Sequence, residues 1–404
     1  MPTQELVQPA RVAATRSLVR PHGTASVHLD ALRGFAAFSV LLNHWRDALF
    51  VDYSDLRNPN PLVTGAYLLA RLGHQWVIVF FVLSGYLVGT SVLHSVSEGR
   101  WSWRVYLFRR LTRLYIVLLP ALILGGAADW AGMHLQGTDA VYSGRAGMHD
   151  LQTDVHATLN LKTMAANSVF LQTISPARGG GHEIIPTLGT NRPLWSLTNE
   201  FWYYLAFPLL VLMVAKTRSW LIRVGYGLAL LALGLLVGLP IVLLGIPWLM
   251  GVLVPYLPRL PALPPWMRAA AIVEAMAMVG VGLVYGKFHY SLTADIVLGM
   301  LVTILIWITI NCAPVSLPAW YVWLSQRSAR SSYTLYLIHV PVLIFIKASL
   351  HLPRAFPTGQ ALLVNIAVLI GVVIYAQLVY EIFEKNTDRL RHWIRPYVMG
   401  RQTA

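Results

Sequence analysis

Arg33 and His44 share one apolar, helix-forming stretch near the start of this chain of 404 residues, Asp30-Ala-Leu-Arg33-Gly-Phe-Ala-Ala-Phe-Ser-Val-Leu-Leu-Asn43-His44. A neutral imidazole, whose ordinary pKa is about 6.5, can take up a proton at neutral pH. A fixed guanidinium in a dry site can hold an anion or stabilise developing negative charge. The spacing is close to three helical turns, so both side chains fall on nearly one face, about 16 Å apart along the axis. One helix face could therefore carry two chemical tasks. On residue type alone each has a simpler account: an interhelical hydrogen bond for His44, a snorkelling anchor for Arg33. Asp30, placed before the apolar run, reads as an N-cap.

The elements that position these groups are membrane helices. Of the residues 56% are hydrophobic and 12% charged, against about 25% charged in ordinary soluble chains, and mean hydropathy is +0.58. Apolar runs long enough to span a bilayer recur about ten times, near 30–50, 74–96, 105–127, 195–215, 220–239, 241–257, 269–286, 293–313, 332–350 and 361–383. The expected fold is all-α, a polytopic membrane protein of about ten transmembrane helices with one large outer loop at about 128–194. Basic tails flank it, residues 1–28 and 386–404, around a transmembrane domain at 29–385.

Residues 224–254 carry no charge and admit either one long tilted helix or two spans hinged near Gly238-Leu239-Pro240. Charge decides for two. With a cytoplasmic N-terminus and two spans here, about two thirds of the Lys and Arg residues fall on inner segments, as the positive-inside rule requires. One span would carry the basic loops around 259–268 and 327–330 outside. Both termini are then cytoplasmic, and the net charge of +14 is mostly topological, with a basic inner surface that also attracts anionic headgroups and ligands.

The charges are dispersed over separate loops, which argues against nucleic acid as a partner. Cys312 stands alone, so neither a disulfide framework nor a cysteine metal cluster is expected. The N-terminal tail lacks a signal-peptide h-region. Within the outer loop, broken by Gly179-Gly180-Gly181, residues Asn160 to Gln172 read as a short interfacial helix. His149, Asp150, Asp154 and His156 match no metal-ligand spacing, so a solvated loop without metal is expected.

Further candidates lie along the chain. Arg109, Arg110 and Arg113, after Arg100 and Arg104, crowd the inner end of the third span, where simple anchoring would also place them. Glu200 sits among Trp195, Trp202, Tyr203 and Tyr204; the aromatics fit an interfacial belt, whereas the carboxylate could orient His44, hold a hydroxyl or pair with an arginine. Ser84, Gly85 and Tyr86 would let another helix approach closely. Tyr333, Tyr336 and His339 could line the same cavity. Glu381 and Glu384 are expected to salt-bridge to Arg389 or Arg391.

In order along the chain, Leu29-Asp30-Ala-Leu-Arg33-Gly34-Phe-Ala36 with Asn43-His44, Phe80-Phe81-Val-Leu-Ser84-Gly85-Tyr86-Leu87, Arg109-Arg110-Leu-Thr-Arg113-Leu-Tyr115, Pro193-Leu-Trp195-Ser196-Leu-Thr-Asn199-Glu200, Ser332-Tyr333-Thr-Leu-Tyr336-Leu-Ile-His339 and Phe383-Glu384-Lys385 resemble the bacterial acyltransferase-3 family over about residues 28 to 390. Ile116 and Asn386 stand where members of that family often have Pro.

The resemblance implies an integral-membrane O-acyltransferase of the bacterial cytoplasmic membrane. It would move an acyl group, in the first instance acetyl, from cytoplasmic acyl-CoA to a hydroxyl of a cell-envelope or exported carbohydrate or glycolipid. It implies His44 as general base, with Arg33 and Glu200 completing the catalytic set. Arg109, Arg110 and Arg113 would clamp the phosphates of the co-substrate, and Ser84, Tyr86, Trp195, Tyr203, Tyr333 and His339 would line the substrate path. No bound cofactor is expected. The enzyme would complete transfer itself or hand the acyl group to a periplasmic partner. The alternative class is a transporter or acyl-group exporter using the buried Arg, His and Glu as a relay.

Overall fold

The computed structural model describes residues 23–399 other than 152, 177–182, 217 and 315. Most of the N-terminal tail, the Gly179-Gly180-Gly181 break and residues 400–404 lie outside the described residues. The chain runs α1 (Thr24–Leu49), α2 (Pro61–Leu69), α3 (Gly73–Ser97), α4 (Trp103–Met133), α5 (Asp139–Tyr142), α6 (Val155–Thr158), α7 (Leu161–Ser168), α8 (Leu194–Val214), α9 (Trp220–Val237), α10 (Leu239–Leu253), α11 (Pro265–Phe288), α12 (Leu292–Cys312), α13 (Ala319–Ser349), α14 (Gly359–Ile382) and α15 (Thr387–Met399). Ten of these helical segments are long and apolar enough to cross a membrane, matching the ten apolar runs. In hydrocarbon each run must satisfy its own backbone, which a helix does. Among the described residues there is no β-strand, only one bridge between Phe50 and Ala355.

Helix starts follow local chemistry. Ser102, Ser291 and Thr358 accept hydrogen bonds from the N–H groups of Val105, Ala294 and Ala361 at the heads of α4, α12 and α14. The expected cap at Asp30 is corrected: α1 begins at Thr24 because Ala25, Val27 and Leu29 are buried and His28 meets Tyr321 of α13 at 2.8 Å. Asp30 lies inside the helix, 3.9 Å from Arg33. The boundary expected at residue 28 therefore falls within α1, and much of the C-terminal basic segment is helix α15.

Gly238, at φ +88°, separates α9 from α10 in a conformation that favours glycine, so the 224–254 stretch makes two spans. The packing agrees independently. From one end of the bundle to the other, α1 meets α13 at His28–Tyr321, Arg33–Ala329 and His44–His339, so the two helices run parallel. Fusing α9 with α10 would have made them antiparallel. Below, the end where α1 begins is proximal and the end where it finishes is distal.

α3 and α13 form the centre: 72% of the apolar window of each is buried, against 6% for α9, whose Leu228, Leu231 and Leu235 face outward. α10 packs on α3 so closely that a Cβ on Gly85 would sit 1.8 Å from the Trp248 carbonyl, as the Ser84-Gly85-Tyr86 pattern anticipates. Two prolines open sites for tertiary bonds. Pro208 in α8 frees the Tyr204 carbonyl, which accepts from Tyr106 Oη at 2.9 Å. Pro341 in α13 frees that of Leu337, which accepts from Asn191 at 2.8 Å.

The distal loop departs from the solvated expectation. It buries Tyr142, Leu151, Val155 and Phe170, and Phe170 stacks on Phe201 at 4.1 Å. Apolar side chains spaced through its polar sequence dock it on the bundle.

Candidate active site

Arg33 emerges on the inner face of α1 and donates to the Ala329 carbonyl of α13 at 2.8 Å; its Nε is buried without a partner. It lines a cavity of about 110 Å³ with Ser84 of α3, Arg110 and Arg113 of α4, Glu200 and Tyr204 of α8 and Tyr333 of α13. Arg113 keeps an accessible guanidinium inside this protein-lined hollow. The carboxylates of Glu200 and Glu384 lie within electrostatic reach of both Arg33 and Arg113.

Glu200 is held by its neighbours. Its Oε1 accepts from Ser84 Oγ at 2.7 Å and from Tyr204 Oη, and Trp248 donates to Ser84 at 3.2 Å. The Arg110 guanidinium lies over the Tyr106 and Tyr204 rings, 5.5 and 5.4 Å from their centroids. Arg33, Arg110 and Arg113 share the cavity walls with Glu200, and Asp30 and Glu384 lie close behind Arg33 and Arg113. Guanidinium groups gathered on one cavity wall are suited to holding an anion such as phosphate.

Not every candidate joins this cavity. Arg109 is exposed, and its carbonyl accepts from Arg391 of α15 at 3.1 Å. Tyr203 is buried against Phe81 and Trp248, its hydroxyl on the Ile241 carbonyl at 2.8 Å. Tyr86 is buried at the α3–α10 contact. Glu384 corrects the expectation of a tie to Arg389 or Arg391: it accepts from Thr334 N at 3.2 Å and Thr334 Oγ1 at 2.6 Å, facing the arginines of the cavity. Glu381 pairs with Lys385 instead.

His44 lies three turns further along α1, and its partner is His339, with His44 Nδ1 2.8 Å from His339 Nε2 and the rings stacked. The tautomers follow from the acceptors. His339 Nδ1 meets two backbone carbonyls, Leu335 at 3.0 Å and Tyr336 at 2.8 Å, and a carbonyl only accepts, so Nδ1 carries the proton. The neutral His339 ring then offers a lone pair at Nε2, to which His44 Nδ1 donates. The proton of a neutral His44 is fixed on Nδ1, and its lone pair is left on Nε2, the arrangement a general base requires.

Glu200 does not orient His44: it lies with Arg33 in the proximal cavity. Arg33 and His44, about 16 Å apart along the helix, do not act on one atom. Between the two levels stand Phe80, Tyr336 and Ser196 on the cavity wall. Tyr336 Oη lies 2.6 Å from Ser196 Oγ, its ring is edge-on to Phe80, and it sits one turn before His339.

Around His44 the distal end gathers Asn43 with carboxylates whose partners the sequence does not disclose. Asn43 donates to Asp150 at 2.8 Å, and the buried Asp47 accepts from the backbone N–H groups of His149 and Asp150 at 3.2 and 2.9 Å. Asp52 bonds Arg354 at 2.9 Å and meets His149 at 3.1 Å. The His149–His156 group does not converge: Asp154 caps α6, and among the described residues no set of three or more possible ligands surrounds a common point. Asp150 is solvent-exposed in a recess walled by protein. That surrounding opposes its charge, yet the Asn43 amide with His44, Lys287 and Arg46 outweighs it and holds the carboxyl below its ordinary range. Nothing in the 105 residues between His44 and Asp150 signals that the two come near one another. The signal for Asp47 was its place one turn past Asn43 on the same helix.

Trp195 is distal, its ring parallel to that of His74, with centroids 6.0 Å apart. It stands beside α3 rather than at the proximal cavity.

A comparison with family models matches residues 27–380 to the acyltransferase-3 model, an acyltransferase domain. No curated protein and no solved structure matches the chain. The matched span takes in both the arginine-lined cavity and the paired histidines. The chain therefore belongs to the acyltransferase-3 family, and is a multi-pass membrane acyltransferase that transfers groups other than aminoacyl groups.

Proposed function

We propose that the protein is an O-acyltransferase that takes an acyl group, acetyl in the simplest case, from acyl-CoA at the proximal end and delivers it to a carbohydrate hydroxyl at the distal end. The observation that carries this reading is the division of labour along α1 and α13: guanidinium groups at one level, a tautomer-fixed imidazole at the other. The proximal end is taken as cytoplasmic, since it bears most of the basic residues.

Arg110 and Arg113 bind the phosphates of the donor, guanidinium being suited to phosphate oxygens. Arg33, with its unpartnered Nε, positions the donor as its slender thioester arm passes Phe80 and Tyr336. At the distal level His44 Nε2 removes the acceptor hydroxyl proton as that oxygen attacks the thioester carbonyl. The C–S bond then breaks, and the proton on His44 passes to the departing thiolate, so that ester and free thiol are formed with no net proton change. His339 is a positioning residue: it accepts from His44 Nδ1 and keeps Nε2 directed to substrate. Glu200, anchored by Ser84 and Tyr204, holds Arg33 and Arg113 in place electrostatically.

The test is acetyl-CoA turnover by protein in lipid nanodiscs supplied with a bacterial glycan extract. Free thiol should appear together with a glycan heavier by one acetyl unit, and His44→Ala should lower the rate by about a thousandfold, within the range for loss of a general base. Thiol release unchanged in His44→Ala, or absent with every extract, rejects the reading; the latter would favour an acyl-group exporter.

A further inference from the structure

α1 and α3 touch at the distal end, where Gly73 lies so close to Asn43 that a Cβ there would meet the amide carbon at 2.8 Å. The residues that follow in each helix, His44 and His74, therefore flank the contact. His74 is built differently from His44. Its Nε2 lies 3.0 and 3.1 Å from the two carboxylate oxygens of the nearly buried Asp295. A carboxylate accepts, so Nε2 carries the proton and Nδ1 presents a lone pair, towards the Tyr290 hydroxyl at 3.4 Å.

This imidazole is framed by aromatic rings: Trp195 lies parallel to it, and Tyr290, largely exposed, is 4.8 Å from it centre to centre. Tyr290 is also within electrostatic reach of Asp150 as well as Asp295, and Asp150 is within that of His44. Asp150 is thus near both the base and the aromatic frame. Next to His74, Gln75 is 1% exposed, with neither its amide oxygen nor its nitrogen hydrogen-bonded.

We propose that His74, Asp295, Trp195 and Tyr290 form the seat on which a sugar ring of the acceptor rests. The inference rests on the O-acyltransferase reading. Indole and phenol faces pack against the C–H faces of sugar rings, while an oriented imidazole and a carboxylate bond the ring hydroxyls at the edge. A sugar held there places a neighbouring hydroxyl towards Asp150 and His44. A simple aliphatic alcohol would use none of these groups.

The experiment uses full-length protein in nanodiscs, fluorescently labelled and applied to an array of bacterial glycans, with acetyl-CoA binding measured by calorimetry on the same preparations. Wild type should bind a subset of the glycans. Asp295→Asn and Trp195→Ala should each weaken that binding about tenfold or more while acetyl-CoA still binds, which also reports a folded protein. Arg113→Gln should do the reverse. Glycan binding that survives both distal substitutions, or no glycan bound by a protein that binds acetyl-CoA, overturns the seat and leaves the donor reading standing. Absence of acetyl-CoA binding in the wild type overturns the reading on which the seat rests.

Discussion

The proximal cavity and the distal recess are built on the same pair of parallel helices and differ in almost every chemical respect. The cavity concentrates guanidinium groups, with carboxylates and phenols arranged to hold them in place. The recess concentrates imidazoles, each with one nitrogen committed to an acceptor, and carboxylates tied to backbone N–H groups or arginine. Permanent cations fix where an anion rests, because guanidinium does not titrate in any ordinary range. Imidazoles oriented by neighbours move protons near neutrality. A single helix can supply both because Arg33 and His44 are close to a whole number of turns apart, which keeps the face while changing the depth.

That contrast is broken most severely by removing what orients the base. His339→Ala deprives His44 Nδ1 of its acceptor, so the ring is free to carry its proton on Nε2, where it cannot take another. We expect kcat to fall about a hundredfold, the order that general-base contributions reach, with the KM for acyl-CoA unchanged. His339→Gln, whose amide oxygen can accept from Nδ1, should restore much of the rate. Equal loss in Ala and Gln variants would make the pair a packing contact, and the distal region would then lack a positioned base.

A smaller effect sharpens the proximal side. Arg113 and Arg109 are one helical turn apart on α4 and carry the same charge, but only Arg113 lines the cavity. Arg113→Gln should raise the KM for acyl-CoA about tenfold, as for loss of a charge-assisted hydrogen bond; Arg109→Gln should leave it within twofold. Equal shifts would mean that the basic surface attracts the donor only through its general field.

The same pair of arginines illustrates what sequence could and could not disclose. Ten spans, the hinge at Gly238 and the facing of Arg33 and His44 were legible because bilayer thickness, charge placement and the 3.6-residue repeat are properties of short segments. The choice between Arg109, Arg110 and Arg113 was not, since it depends on how far α4 is rotated, which α13 and α15 decide. Glu200 was found as a carboxylate within a span, but the choice among His44, a hydroxyl and an arginine as its partner was not legible, because depth along a span does not reveal which helix lies opposite. His74 and Asp295 sit 221 positions apart in two unremarked helix starts, and only the assembled bundle joins them. Asp150 was noticed for the wrong reason, as one of several residues with metal-binding side chains.

The smallest effect concerns how the distal loop is tied down. Asp52 bonds Arg354 and meets His149, so it links three segments that close over the recess. Burial disfavours its charge, but the hydrogen bonds and charge of Arg354, with His149 and Arg46 behind them, outweigh that and lower its carboxyl below the ordinary value. A carboxyl lowered on folding adds stability that is complete above its unfolded value, about 4, and is lost as pH falls through the folded value. Amide exchange in residues 139–158, taken relative to the intrinsic rate at each pH, should therefore quicken below about pH 4 in the wild type. Asp52→Asn should quicken it already at pH 7 by an amount worth about 1 kcal/mol or less, since the tie stands near water, and should flatten the further acid response. The proximal cavity contains no part of this tie, so acetyl-CoA binding at pH 7 should be the same in the variant. An exchange rate in Asp52→Asn equal to wild type at pH 7 would mean that apolar docking of Tyr142, Leu151 and Val155 alone holds the loop, and that the two regions differ in chemistry but not in how they respond to acid.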